Sequence, residues 1–232
     1  MRDSSSALHQ IGQLMCEATR KILWQPASEW LGSQSTGGAL QCRVGSGQAT
    51  YHRYDPTQKL HLINFGLRMI AAKQQPETSD GWLSTREIRG RGYFDGELST
   101  LNLLAHTCCH EFAHLLQYSA GKRSYGSVHN RHFYEILDQL HESGAAAATR
   151  HFLARQARTR GLELADTPFE LPDSRHQAKQ WQVGESISFG EGSRRKYGEI
   201  IRVNRKTCTV RGTGPTRGTR YRVPLSLLRK AG

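Results

Sequence analysis

No apolar run in this chain reaches the roughly 18 residues that a membrane-spanning helix needs. The opening stretch MRDSSSALHQIGQLM also lacks the apolar core of a secretory signal. Together these absences predict a cytoplasmic protein, associated with the nucleoid if it binds DNA, and give no reason to expect a membrane partner. Cysteine is scarce as well: Cys16, Cys42, Cys108, Cys109 and Cys208 are odd in number and contain no CxxC pair. That spacing argues against both a disulfide framework and a zinc ribbon and predicts free thiols, with the adjacent Cys108 and Cys109 serving as small buried residues. At 232 residues and 37% hydrophobic content the chain has enough apolar material for a core without covalent staples.

Acidic residues are missing from one end. From Ser174 to Gly232 there are 14 Lys and Arg against 3 Asp and Glu, a net of +11, whereas residues 1–173 carry 18 against 17, a net of +1. The two sum to the +12 of the whole chain, so the basic character belongs to a carboxy-terminal segment.

The texture of the sequence changes at the same place. Residues 6–24 carry Leu8, Ile11, Met15, Ile22 and Leu23 near helical spacing behind a serine-rich start, which predicts an amphipathic helix. Ala27 to Asp55 is rich in Gly, Ser and Gln and reads as loops around short strands. KLHLINFGLRMI and TREIRGRGYFDGELS read as two extended segments. From Ser99 the spacing of Leu101, Leu104, Cys108, Phe112 and Leu115 predicts a helix ending near Gly121, followed by HNRHFYEILDQLHESG and AAAATRHFLARQARTRG as two more. Residues 166–180, with two prolines, read as a linker. Beyond it VGESISF, YGEIIRV, KTCTVRG and TRYRVPL recur about every ten residues between turn formers, predicting a small barrel of about five strands. The expected organisation is α+β, with a domain over 1–165, the linker, and a basic all-β domain over 181–232.

The candidate chemistry sits in HEFAH, residues 110–114. On a helix, four residues rise about 6 Å in a little over one turn, so His110 and His114 project from one face and can converge on one ion. Zn²⁺ accepts neutral imidazole nitrogen, and a catalytic site uses three protein ligands with a fourth position open. Glu111 would then lie beside the ion, placed to accept a proton from an activated water and pass it to a leaving amine. The third ligand has four candidates in the residues themselves: His129, His132 and Glu135 at the start of the next helix, and His106 one turn before His110. Three ligands in a row on one helix would strain a tetrahedral ion, so His106 is expected to support the site from outside or to be exposed. The longer HExxHxxGxxH pattern is absent, because Gln117 and Ala120 occupy its later positions.

HEFAH followed, after a basic loop, by HNRHF resembles the SprT-like metalloproteases, the group that includes the Spartan proteases of DNA-protein crosslink repair. The likeness covers roughly residues 55–145. It implies a zincin-like fold with one catalytic zinc, His110, His114 and His129 as ligands, Glu111 as the catalytic acid and base, and Phe133 as a packing aromatic. His132 then becomes a bystander. Two departures stand out: Asn130 occupies a position where family members often carry glycine, and the cysteine zinc ribbon of many bacterial members is missing.

Nucleic-acid binding must therefore be read from the carboxy-terminal segment itself. Its spacing resembles SH3-like barrels of the KOW or Tudor type. Arg194, Arg195, Lys196, Arg202, Arg205, Lys206, Arg211, Arg217, Arg220 and Arg222 are spread over its expected strands and turns and suit phosphate contacts, which give affinity rather than sequence choice. Tyr197, Tyr221 and Trp181 are candidate stacking surfaces for unpaired bases, with one or more of them expected in the core. The reading these residues support is a zinc metallopeptidase recruited to DNA, with RNA as an alternative partner, that cuts proteins bound or crosslinked there. The competing class is a nucleic-acid-binding adaptor whose zincin-like domain is not catalytic.

Overall fold

The computed structural model describes residues 2–124, 126–171, 178–190, 192 and 195–231, with side chains from Ser5 onward. The chain forms two compact units, Met1–Glu170 and Leu171–Gly232. The first is mixed α and β with a small sheet, and the second is built on a larger antiparallel sheet. No helix among the described residues is long and apolar enough to cross a membrane.

The first unit is organised around one helix. After α1 (Arg2–Ala18), a π-helical turn (Thr19–Trp24) and α2 (Gln25–Ser33) come three strands, β1 (Ala39–Gly45), β2 (Tyr51–Asp55) and β3 (Leu60–Gly66). The strand order is β1-β3-β2, parallel between β1 and β3 and antiparallel between β2 and β3. Helices α3 (Leu67–Ala72), α4 (Pro76–Ser79) and α5 (Leu83–Arg91) follow, then α6 (Thr100–Ser119), α7 (Arg131–Glu142) and α8 (Ala145–Thr159). Helix α6 packs against α5, α7, α8, α1 and β2 and is buried from Thr100 through Leu115. A helix covered on every side belongs to a core, yet this one carries Asn102, His106, Thr107, His110, Glu111 and His114. Buried polar groups need partners, and neighbouring elements supply most of them.

Two expectations are corrected here. TREIRGRG forms helix α5 rather than an extended segment: Ile88 and Glu87 face inward against α6, while Arg86, Arg89 and Arg91 have the flexible side chains that helices favour. Gly92, at φ +75°, then ends it in a left-handed cap. In KLHLINFGLRMI only the first part is strand, and from Leu67 the chain turns into α3. Past Ala165 the chain is still bound to this unit, because Asp166 pairs with Arg150 and the Phe169 N–H donates to the Leu98 carbonyl.

Both neighbouring helix starts are capped by side chains. The Ser99 hydroxyl accepts from the Asn102 N–H at 3.0 Å, and Asn130 Oδ1 accepts from the Phe133 N–H at 3.1 Å. Asn130 Oδ1 also accepts from Gln117 Nε2 at 2.9 Å, and its amide donates to the Lys122 carbonyl. Asn130 thus ties the start of α7 to α6, next to His129.

The second unit holds β4 (Ser186–Phe189), β5 (Lys196–Val203), β6 (Thr207–Gly212), β7 (Arg220–Pro224) and β8 (Arg229–Lys230). These pair antiparallel in the order β7-β6-β5-β4-β8 around Ile187, Ile200, Cys208, Val210, Val223, Leu225 and Leu228. The five cysteines are free, and Cys108 and Cys109 are buried as expected.

Gly66 offers a test of how the sheet holds the loop before β2. A Cβ there would lie 2.6 Å from the Gly47 carbonyl oxygen, and that backbone cannot yield as a side chain would. Gly66→Ala is expected to lower stability by about 1–3 kcal/mol in urea unfolding.

Candidate metal centre

Three imidazoles from two elements meet beside α6. The Nε2 atoms of His114 and His129 are 3.1 Å apart, and those of His129 and His110 are 3.2 Å apart. His110 and His114 come from α6 and are buried, while His129 precedes the α7 cap and is half-buried. The Phe133 ring, itself fully buried, lies against all three, with centroid separations of 4.9, 4.3 and 4.9 Å from His110, His114 and His129. The other third-ligand candidates stand elsewhere. His132 is exposed and bonded to Glu135, which also pairs with Arg131.

His106 is completely buried and belongs to a hydrogen-bonded chain behind the site. Glu87 Oε2, from α5, is 2.9 Å from His110 Nδ1 and 2.8 Å from His106 Nε2, and His106 Nδ1 is 3.1 Å from His141 Nε2. The His141 ring in turn stacks on Tyr93 at 3.7 Å. An ionised carboxylate only accepts, so both imidazoles donate to it. A neutral His110 then carries its proton on Nδ1, with its Nε2 lone pair toward His129. His106 then accepts at Nδ1 from the Nε2–H of His141.

Electrostatics keep His114 and His129 in the ligand form. Burial, with His110 and His129 close by, holds His114 down to about 2, and burial with His110 also lowers His129. Burial pushes Glu87 up, but the two imidazole hydrogen bonds and charges outweigh it and leave the carboxyl well below the usual range. Neutral imidazoles with lone pairs aimed at one another repel unless a cation lies between them. His110, His114 and His129 can therefore hold a metal ion; Glu87, His106 and His110 form a second close group. In that second group, however, the carboxylate already satisfies both imidazoles.

Glu111 is 5% exposed, and its Oε2 has no hydrogen-bond partner among the described residues. Burial raises its pKa, while the charges of His110 and Lys73 pull it back. Lys73, just past α3, is 2% exposed; burial lowers it to about 7, against the opposing pull of Glu111 and Glu87. Its amine donates to the Thr107 hydroxyl and lies 5.5 Å from the Trp82 ring centroid. Lys73, Trp82, Thr107, His110, Glu111 and His129 line one cavity of about 230 Å³. The site thus combines metal-ligand geometry, a carboxylate with a free acceptor oxygen, and a buried amine, the components of water activation.

Comparison with protein-family models, with curated proteins and with solved structures finds no match to this chain.

Glu87, Lys73 and His141 were absent from the sequence reading. A lone glutamate in TREIRGRG has no spacing relation to HEFAH, and only the docking of α5 brings it there. For Lys73 the sole available signal was its place at the end of an apolar stretch. On the second unit, Arg202, Arg205, Lys206, Arg211, Arg217, Arg220 and Arg222 are exposed, as is Arg195, whereas Lys196 is half-buried with its amine over the Tyr221 ring at 4.6 Å. Arg194 lies outside the described residues.

Replacing Glu87 with Gln removes the charge and one acceptor while keeping the shape. Competition against a chelator is expected to show metal affinity reduced about 10–100-fold.

Acid should unfold this protein early. Burial holds His52, His106 and His141 down to about 3, about 4 and about 3 in the fold, whereas each takes a proton near pH 6.5 once unfolded. Below about pH 6.5 the unfolded state binds more protons, so stability is full above that pH and is lost as pH falls toward the folded values. Each histidine adds a slope of up to about 1.4 kcal/mol per pH unit. Thermal unfolding of metal-free protein should show a clearly lower midpoint at pH 5.0 than at pH 7.5; equal midpoints would mean that these imidazoles are protonated in the fold.

Proposed function

We propose that the chain is a zinc metallopeptidase of the SprT-like kind, recruited to DNA by its basic carboxy-terminal unit, and that it cuts proteins bound or crosslinked to that DNA. The observation that carries this reading is the convergence of the His110, His114 and His129 Nε2 atoms beside Glu111. Ligands about 2.0–2.1 Å from a tetrahedral ion stand roughly 3.3–3.4 Å from one another, close to the 3.1 and 3.2 Å between these nitrogens. An all-imidazole set suits zinc, and no carboxylate among the described residues completes it, which leaves a position for water.

When bound, zinc supplies an acidified water and polarises a carbonyl. The protein's own residues do the rest. Glu111, next in sequence to a ligand and with one oxygen unpartnered, takes the proton of the attacking water and returns it to the departing amine. Glu87 fixes the ring of His110, and Phe133 packs the three imidazoles in place. The Lys73 amine lines the same cavity and donates to the Thr107 hydroxyl. The five-stranded antiparallel sheet of the second unit fits an SH3-like barrel, and the +11 surplus of that segment gives it attraction for phosphate.

Elemental analysis of the purified protein is expected to give about one zinc per chain, sharply reduced in His129→Ala. Glu111→Gln should retain the zinc and lose about 10²–10⁴-fold of peptidase activity on a DNA-bound protein. A zinc-loaded wild type that cleaves no protein would leave the adaptor reading in its place, and wild type without zinc after refilling would remove the metal from both.

A further inference from the structure

The second unit's basic residues are not equivalent, and the strand register separates them. The inward side of β5, β6 and β7 carries Ile200, Val210, Cys208 and Val223, all buried. Arg211 and Arg220 therefore face outward and stand directly opposite each other, with Glu199 beside Arg211 on β5. A register shift between Ile200 and Arg202 changes the alternation of β5. Without it Arg202, two residues after inward Ile200, would point into the core. With it Arg202 pairs with Thr209, which pairs with Arg222, and both arginines are exposed. Four arginines thus occupy two adjacent rows of one outer face, with Glu199 as the one carboxylate among the described residues in those rows.

Such an arrangement is unfavourable by itself. Like charges directly opposite across a sheet destabilise it, and among the described residues none of these four arginines has an ion pair. The remaining cations are used or placed differently. Lys196 covers Tyr221, Arg229 donates to the Ser226 and Leu228 carbonyls, and Lys230 pairs with Glu185. Arg195 and Arg205 lie outside the strands, and Arg217 follows the short helical turn after β6. The aromatics also divide. Trp181 and Tyr221 pack against the core, whereas Tyr197 is 51% exposed, two residues before Glu199 on the outward side of β5. The rows are about 7 Å apart and three strands span about 10 Å, so guanidinium groups and one open ring share a small platform.

We propose that the outer face of β5, β6 and β7 binds single-stranded nucleic acid, with Arg202, Arg211, Arg220 and Arg222 on the phosphates and Tyr197 stacking on an unpaired base. This rests on the nucleic-acid half of the function proposed above and narrows it to one surface and one strandedness. Guanidinium forks suit phosphate oxygens, and a base needs an exposed ring only when its own stack is open.

The test is fluorescence anisotropy of the full chain with a 15-nucleotide oligo-dT, an oligo-U of equal length and a 15-base-pair duplex over a range of salt. Wild type should bind the single strands more tightly than the duplex. The combined variant Arg202→Gln, Arg211→Gln, Arg220→Gln and Arg222→Gln should flatten the plot of log affinity against log salt by about 2.8, four contacts at about 0.7 each. Arg195→Gln, Arg205→Gln and Arg217→Gln together should flatten the slope far less than the fourfold variant does. Tyr197→Ala should weaken single-strand binding roughly tenfold, and Tyr197→Phe should restore it, a comparison that stands even if the fourfold variant does not fold. A folded fourfold variant with wild-type slope, or a duplex bound as tightly as the single strands, overturns the face assignment while nucleic-acid binding itself stands. Equal competition by polyglutamate identifies an acidic-protein surface and also overturns it. A wild type that binds none of the three probes removes the nucleic-acid half of the proposed function together with this face.

Discussion

Everything at the candidate metal centre depends on one carboxylate held between two imidazoles. Glu87 accepts from His106 and His110 in a place almost without water, and those two bonds keep it ionised against the cost of burial. The same bonds dock α5 on α6. They also set the tautomer of a neutral His110, since an acceptor at Nδ1 then leaves Nε2 bare. Remove the charge and the ring of His110 loses its reason to point one way. His141, on α7, extends the chain to Tyr93, so the supports of His110 reach from the central helix through a second helix.

The cost of such a helix explains the shape of the first unit. An apolar α6 could be covered by any amphipathic neighbours. One that carries polar groups on several sides needs particular partners on each: Arg150 from α8 on Asn102, Lys73 on Thr107, Glu87 on His106, and Asn130 on Gln117. Each is a directional bond that only one docking satisfies, so the buried polar groups select a single arrangement of the surrounding elements. Phe133 adds the apolar part, one ring in contact with three imidazoles. The second unit works differently, with a dry core of seven side chains and its charge on the outside. Its register, rather than its polar interior, decides which cations share a face.

Much of this was legible in the chain. Four-residue spacing alone puts His110 and His114 on one face of a helix, because 3.6 residues per turn leave no other outcome. The excess of Lys and Arg after Ser174 marks a separate basic segment by counting, and alternation with turn residues marks its strands. What spacing cannot supply is any relation between residues far apart in the chain. His129 stands beside His114 because Asn130 caps α7 against α6. Glu87 reaches His110 because TREIRGRG is a helix, which a local reading of its glycines missed. Lys73 enters the cavity by the turn of the chain after β3. Arg202 faces outward only through a one-residue irregularity that no hydropathy pattern records. Local periodicity therefore determined the elements and the two histidines within one turn, while the place of His129, the carboxylate support of His110 and the arginine face were decided by packing, because they depend on contacts between segments rather than on the order of residues within one.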